Sequence, residues 1–254
     1  MEKGAITEYI DVAQIALYTF WAFFIGLVFY IRREDRREGY PLEDEFTGRL
    51  QPEGFALIPG PKTFLMPEGG TYTAPNDSRD RREVKAKRVT NFAGAPLEPT
   101  GDAMVDGVGA AAYCERHDEV EHTVDGRVAL VPLRKIPDYK VARQDADPRG
   151  WEVIAADGRV AGRVSDIWVD LAEVVVRYLE VDVPGAGARL VPVPVLKIKD
   201  DHTVEVSAIK AEHFAKVPTT KSADQVTVLE EEKISAFYAG GRFYADPKRS
   251  EPLV

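Results

Sequence analysis

Between Val12 and Ile31 the sequence runs without a single charged side chain. A helix needs about 20 apolar residues to cross the hydrocarbon core of a bilayer, and this run has that length. A secretory signal wants a basic start, a shorter apolar core and a small-residue cleavage site. Here Glu2, Glu8 and Asp11 outnumber Lys3 at the start, and Trp21, Phe23 and Phe24 sit inside the run. A buried helix of a soluble domain rarely goes this long without a charge. The expectation is one transmembrane helix over residues 12–31.

Arg32, Arg33, Arg36 and Arg37 follow the run directly, against Lys3 alone before it. Basic residues stay on the cytoplasmic side, so residues 1–11 are expected outside and the rest inside. Tyr9 and Tyr30 are placed for the two interfaces. Tyr40 closes the basic neck, which suits contact with lipid headgroups. Gln14 and Thr19, the strongly polar residues of the span, either bond a neighbouring helix or are simply wet.

Most of the formal net charge of −9 lies after the span. That argues against nucleic acid, whose binders need a basic face. Cys114 is the one cysteine, so no intrachain disulfide, Cys-rich zinc site or Cys-ligated cluster can form. There is no HExxH, GxSxG, phosphate loop or dinucleotide fingerprint. Nothing pairs a nucleophile with a base, so no enzyme is expected.

Residues 32–110 are dense in proline and glycine and keep no period for long. A hairpin over Thr63–Met66 and Thr71–Thr73, turned at Glu68-Gly69-Gly70, is the clearest local signal. A long irregular stretch carrying Phe55, Leu57, Ile58, Phe64, Leu65 and Tyr72 needs a partner surface to lie on. Residues 111–254 read as the folded body. Short strands are expected at Val160–Val169, Val174–Val183, Arg189–Val195, Leu196–Lys199 and Thr203–Val206, with turns at Asp157-Gly158, Pro184-Gly185 and Asp200-Asp201. Their spacing predicts a small antiparallel barrel. Ser207 is expected to cap a short helix to Lys216. Thr227-x-x-Glu230 is a capping box opening a helix over Leu229–Ala239, with Gly240-Gly241 as its stop.

Two groups of residues suit proton chemistry. By the period of two, Asp166, Trp168 and Asp170 share one strand face, and Glu173, Val175, Arg177, Leu179 and Val181 share another. Covered by another protein, Glu173 would lose water and hold its proton more tightly, with Arg177 opposing. The plain alternative is a wet strand end. Glu115, His117, Asp118, Glu119, Glu121, His122 and Asp125 form a second group, able to collect protons or take a divalent cation, or to be an ordinary solvated loop.

Longer motifs then carry a resemblance. They are Ile31-Arg32-Arg33-Glu34-Asp35-Arg36-Arg37-Glu38-Gly39-Tyr40-Pro41-Leu42, Pro61-Lys62-Thr63-Phe64, Gly94-Ala95-Pro96-Leu97 through Pro99-Thr100-Gly101-Asp102, and Asp106-Gly107-Val108-Gly109. Asp147-Pro148-Arg149-Gly150, Val164-Ser165-Asp166-Ile167-Trp168-Val169-Asp170, Arg177-Tyr178-Leu179-Glu180-Val181 and Glu230-Glu231-Glu232-Lys233 with Tyr238-Ala239-Gly240-Gly241 follow. In this order, over essentially the whole chain, they resemble the H-subunit family of purple-bacterial photosynthetic reaction centres. The stretch Gly158–Val183 alone resembles the wider PRC-barrel family.

The resemblance implies a chain that binds no cofactor directly. Bacteriochlorophyll, bacteriopheophytin, quinones and a non-haem iron belong to the partner L and M subunits. It implies a cap on their cytoplasmic face in the intracytoplasmic membrane, with a cytochrome subunit, an antenna ring and membrane lipids as further neighbours. It implies proton transfer to the secondary quinone through Glu173, with Asp170 and Arg177 beside it. The family's proton-entry region falls near Asp125. There Gly126-Arg127-Val128 lacks the histidines of some relatives, and His122 or His117 is the substitute. Ala103 and Ala110 stand where relatives often carry proline. Two other readings stay open on the residues alone: a membrane-tethered PRC-barrel adaptor outside photosynthesis, and an anchored hydrolase using Asp166, Asp170 and Glu173.

Overall fold

Asp11 starts the long helix by a reciprocal cap. Its carboxylate accepts the Gln14 backbone N–H at 2.7 Å, and its own N–H donates to Gln14 Oε1. Gln14 is therefore used inside its own helix. The helix, α1, spans Val12–Glu34, about 35 Å at 1.5 Å per residue. It runs three residues past the predicted end, so Arg32 and Arg33 occupy its last turn, where cations offset the helix dipole. None of its residues is buried. The helix is long and apolar enough to cross a membrane.

The computed structural model describes Ile6 and residues 10–42, 44, 47, 49, 54, 57–67, 69–76, 80, 82–92 and 94–249. Tyr9, Phe55, Glu68 and most of the expected outer segment lie outside the described residues. Two compact units result: residues 1–82 with 91–95, and residues 83–90 with 96–254.

In the first unit, α1 is followed by a 3-10 turn at Asp35–Arg37 and an antiparallel hairpin, β1 Lys62–Leu65 with β2 Thr71–Ala74. In the second, β3 Ala86–Arg88 pairs with β4 Leu97–Pro99. A short helix, α2 Ala103–Asp106, follows, capped by the Asp102 carboxylate.

The main sheet of the second unit holds β5 Leu130–Pro132, β6 Glu152–Ala155, β7 Val160–Asp170, β8 Val175–Val183, β9 Gly187–Pro192, β10 Leu196–Ile198 and β11 Thr203–Val206. The order is β10-β11-β6-β7-β8-β9, with β5 also on β7, which makes a half-barrel sheet. It is antiparallel except where β11 pairs with β6 in parallel. Between β9 and β10, at Val193–Val195, a 3-10 turn containing Pro194 replaces the end of the strand expected over Arg189–Val195. Pro192 closes the β9 ladder and Pro194 has no N–H to donate, so the chain turns there and β10 starts a new edge.

The core lies between the sheet and the C-terminal helix α3, Val228–Tyr244. Trp168, Phe214, Phe237, Tyr238, Ile209 and Ile234 are buried there. Thr227 and Glu230 form the expected capping box. Gly240-Gly241 does not stop the helix, which continues to Tyr244. These glycines permit close approach. A Cβ at Gly240 would meet Ala111 Cβ at 2.4 Å, and one at Gly241 would meet Ile209 Cγ2 at 2.3 Å. Ser207 does not cap a helix either. Ala208 and Ile209 stay in the core, where the Ile209 carbonyl accepts the Ala156 N–H, so the 3-10 helix begins only at Ala211.

Candidate functional site

The turn between β7 and β8 is built by Asp170. Its Oδ1 accepts the backbone N–H groups of Ala172 (2.9 Å) and Glu173 (3.1 Å), and its Oδ2 accepts Arg177 Nε at 3.2 Å. The Asp170 side chain is only 8% exposed. Glu173 therefore sits in the turn, not on the strand face predicted for it, and β8 begins at Val175. The cause is Val174, whose φ of +57° lies in the left-handed region. That costs a branched residue about 1–2 kcal/mol and breaks the alternation. Glu173 remains 61% exposed by side chain, with Oε2 3.6 Å from Arg177 Nη2.

Strand alternation also fails on β7, whose register shifts between Val164 and Asp166 and again between Trp168 and Val169. Asp166 and Asp170 consequently join different groups. Arg134 Nη1 donates to Asp166 Oδ2 and Glu180 Oε2, both at 3.0 Å, and its Nε donates to Asp224 at 3.3 Å. Trp168 Nε1 and Ser165 Oγ also donate to Glu180, each at 2.9 Å. The three carboxylates of the hydrolase reading are thus divided. Among the described residues no three metal-ligating side chains come together.

Glu231 joins Glu173, Asp170 and Arg177 from the first turn of α3. Tyr178 OH donates to its Oε1 at 2.8 Å. Burial raises the Glu231 pKa, opposed by the Tyr178 bond and the Arg177 charge and assisted by Glu121 and Asp170. As pH rises the unfolded chain ionises first, so the folded state holds more protons and stability falls through that window. Arg177 itself is desolvated, yet its bond to Asp170 and the nearby carboxylates leave it with a raised pKa. Burial likewise raises Tyr178. Sequence reasoning missed Glu231, although a signal existed. Glu231, Ile234 and Tyr238 fall at helical spacing on one face, and the latter two are core.

The Asp125 region is a separate, exposed turn. Thr123 Oγ1 (2.6 Å) and Arg127 Nε (2.7 Å) both donate to Asp125, and these two bonds hold its carboxyl below the usual range. His122 is exposed and pairs through its backbone with Val128. Asp118 is drawn away from the group by Lys221 and by the Thr227 hydroxyl, which donates to it at 2.8 Å. Glu121, beside His122 in the chain, is the member whose charge reaches Glu231.

In the first unit the neck is organised by Arg37. Its Nε and Nη2 clasp Glu34 at 2.9 and 2.8 Å, while Nη1 donates to the carbonyls of Gly60 (2.7 Å) and Ala74 (3.0 Å). Arg36 lies over the Tyr40 ring, 5.3 Å from its centroid. Arg32 and Arg33 are exposed.

Two family models match the chain. Residues 4–135 match the photosynthetic reaction centre H-chain N-terminal region, and residues 140–213 match the PRC-barrel domain. The first match takes in the spanning helix, its basic neck, Asp125 and β5, and the second takes in strands β6 to β11 and the Asp170–Arg177 turn. On that coverage, the chain belongs to the photosynthetic reaction centre H-chain family, with one membrane-spanning helix and a PRC-barrel domain.

Proposed function

We propose that this chain caps the L and M subunits on their cytoplasmic side, stabilises the assembly and passes protons toward the secondary quinone during light-driven electron transport. It acts as a structural, proton-conducting subunit and not as an enzyme. The pigments, quinones and non-haem iron are held by the partners. On this reading the N-terminus is periplasmic and the folded body cytoplasmic, in the intracytoplasmic membrane. Residues 32–110, the β1–β2 hairpin aside, and the face around Val174 meet the partners.

One observation carries the reading. Val174 (67% exposed), Val175 and Val176 form an apolar run in water, between Glu173 and Arg177. It continues into an open groove of about 350 Å³ lined by Tyr139, Val141, Ile167, Leu196 and Ile198. Covering that surface gains free energy and removes water from the adjoining acids in one step. Glu173 then loses solvent while Arg177 and Asp170 keep it oriented, and the half-buried Glu231 stands next in line. A carboxylate able to exist in either state near neutral pH relays protons well. Asp125 and His122 supply the wet entry.

The test is a tagged full-length chain captured from solubilised membranes, read by near-infrared absorbance per chain. Val175→Asp with Val176→Asp should lower retained pigment by about tenfold, since unpaired carboxylates buried in an apolar contact cost several kcal/mol. Undiminished colour in the double variant, or a colourless wild-type capture, overturns the reading.

A further inference from the structure

The β1–β2 hairpin belongs to the same unit as the spanning helix, and its base is bolted to the helix end. Arg37 bonds the carbonyl of Gly60, just before β1, and that of Ala74, the last residue of β2. Lys62 Nζ lies 3.7 Å from Glu34, and Tyr72 OH donates to Glu38 at 3.3 Å. The innermost of these neck partners is Glu34, which binds both Lys62 and Arg37 and ends the helix about 4.5 Å of rise beyond Ile31. The headgroup layer itself is about 5–7 Å deep on each side of the hydrocarbon core. The hairpin therefore starts at headgroup level.

Its chemistry is graded along its length. Lys62 and Arg37 hold the base, and Thr63 and Thr73 pair their hydroxyls at 3.0 Å in the middle. Phe64, Leu65 and Met66 are exposed toward the tip, Leu65 at 86%. Phe64 and Leu65 are adjacent on a strand and so point to opposite faces. A protein partner covers one face of such a ribbon, whereas a fluid headgroup layer can surround its end. Among the described residues the ribbon has two strands with no further strand on either edge, which hydrocarbon cannot satisfy, so the insertion must be shallow. The flanking cations Arg32, Arg33 and Lys62 select an anionic surface.

We propose that this hairpin is a second, interfacial anchor, docked on anionic lipid headgroups beside the spanning helix. The inference rests on the first unit and does not depend on the proton route. The test places a fluorophore at Leu65→Cys in the full-length Cys114→Ser chain, reconstituted in vesicles of phosphatidylcholine with or without phosphatidylglycerol. A quencher carried by the lipid headgroup region should quench the label about fivefold more strongly than aqueous iodide, and more so with phosphatidylglycerol. Lys62→Gln should cut that preference by about half in the anionic vesicles. Iodide quenching equal to that of a label at the fully exposed Val124 overturns the proposal. The same label is then read in the intact assembly. Exclusion of both quenchers there also overturns it, because it assigns the hairpin to a protein partner.

Discussion

Glu173→Gln slows the second, proton-coupled reduction of the secondary quinone by about tenfold and leaves the first electron transfer unchanged. Glutamine keeps the shape of the side chain, and so its place 3.6 Å from Arg177, but it cannot carry a proton. The effect stays below the ~10²–10⁴-fold typical of a lone general acid because Asp170 and Glu231 remain as alternative carriers. Glu231→Gln alone has a smaller effect, and the two together exceed the sum of the singles, since they share Arg177 as a neighbour. Flash kinetics between about pH 6 and 9 decide the matter, the window in which a relay must exchange. Rates equal to wild type in both variants remove this group from the route.

Arg134→Met lowers the stability of the PRC-barrel unit by about 2–3 kcal/mol. The substitution leaves Asp166 and Glu180, both buried, without their shared cation. Losing one partner of a fully buried pair costs ~3–5 kcal/mol, and we take less because the Arg134 side chain is 37% exposed and partly screened. For a chain of this size that is a melting-temperature drop of about 5–10 °C. Trp168 donates to Glu180, so its fluorescence reports the loss directly. Lys87→Met removes the exposed pair with Glu98 and should change stability by under ~0.5 kcal/mol. An Arg134→Met melt indistinguishable from that control contradicts the assignment of Arg134 as the organiser of these buried acids.

The parts of this molecule governed by local rules were legible. The span follows from the bilayer's thickness, the neck from four arginines at one border, and α3 from a capping box. The hairpin at residues 62–74 and most strand limits came from alternation and turn residues. Parts set by tertiary contact were not. Gly240-Gly241 looks like a terminator, because a glycine pair cannot announce whether it ends a helix or admits a neighbour. Glu173 looked strand-borne, because no propensity places a valine at positive φ beside it. Arg134 has partners 32 to 90 residues away, so no sequence window contains them. Glu231 fell on the buried face of a helix whose capping drew attention to the residue before it.

On the proposed function, assembly covers the Val174–Val176 edge and so dries Glu173. Carbodiimide labelling of carboxylates, read residue by residue in the solubilised chain and in the pigmented assembly, measures this most directly. Glu173 should label freely in the first and be protected in the second, while exposed Asp125 labels in both. Equal labelling of Glu173 in the two preparations contradicts the account.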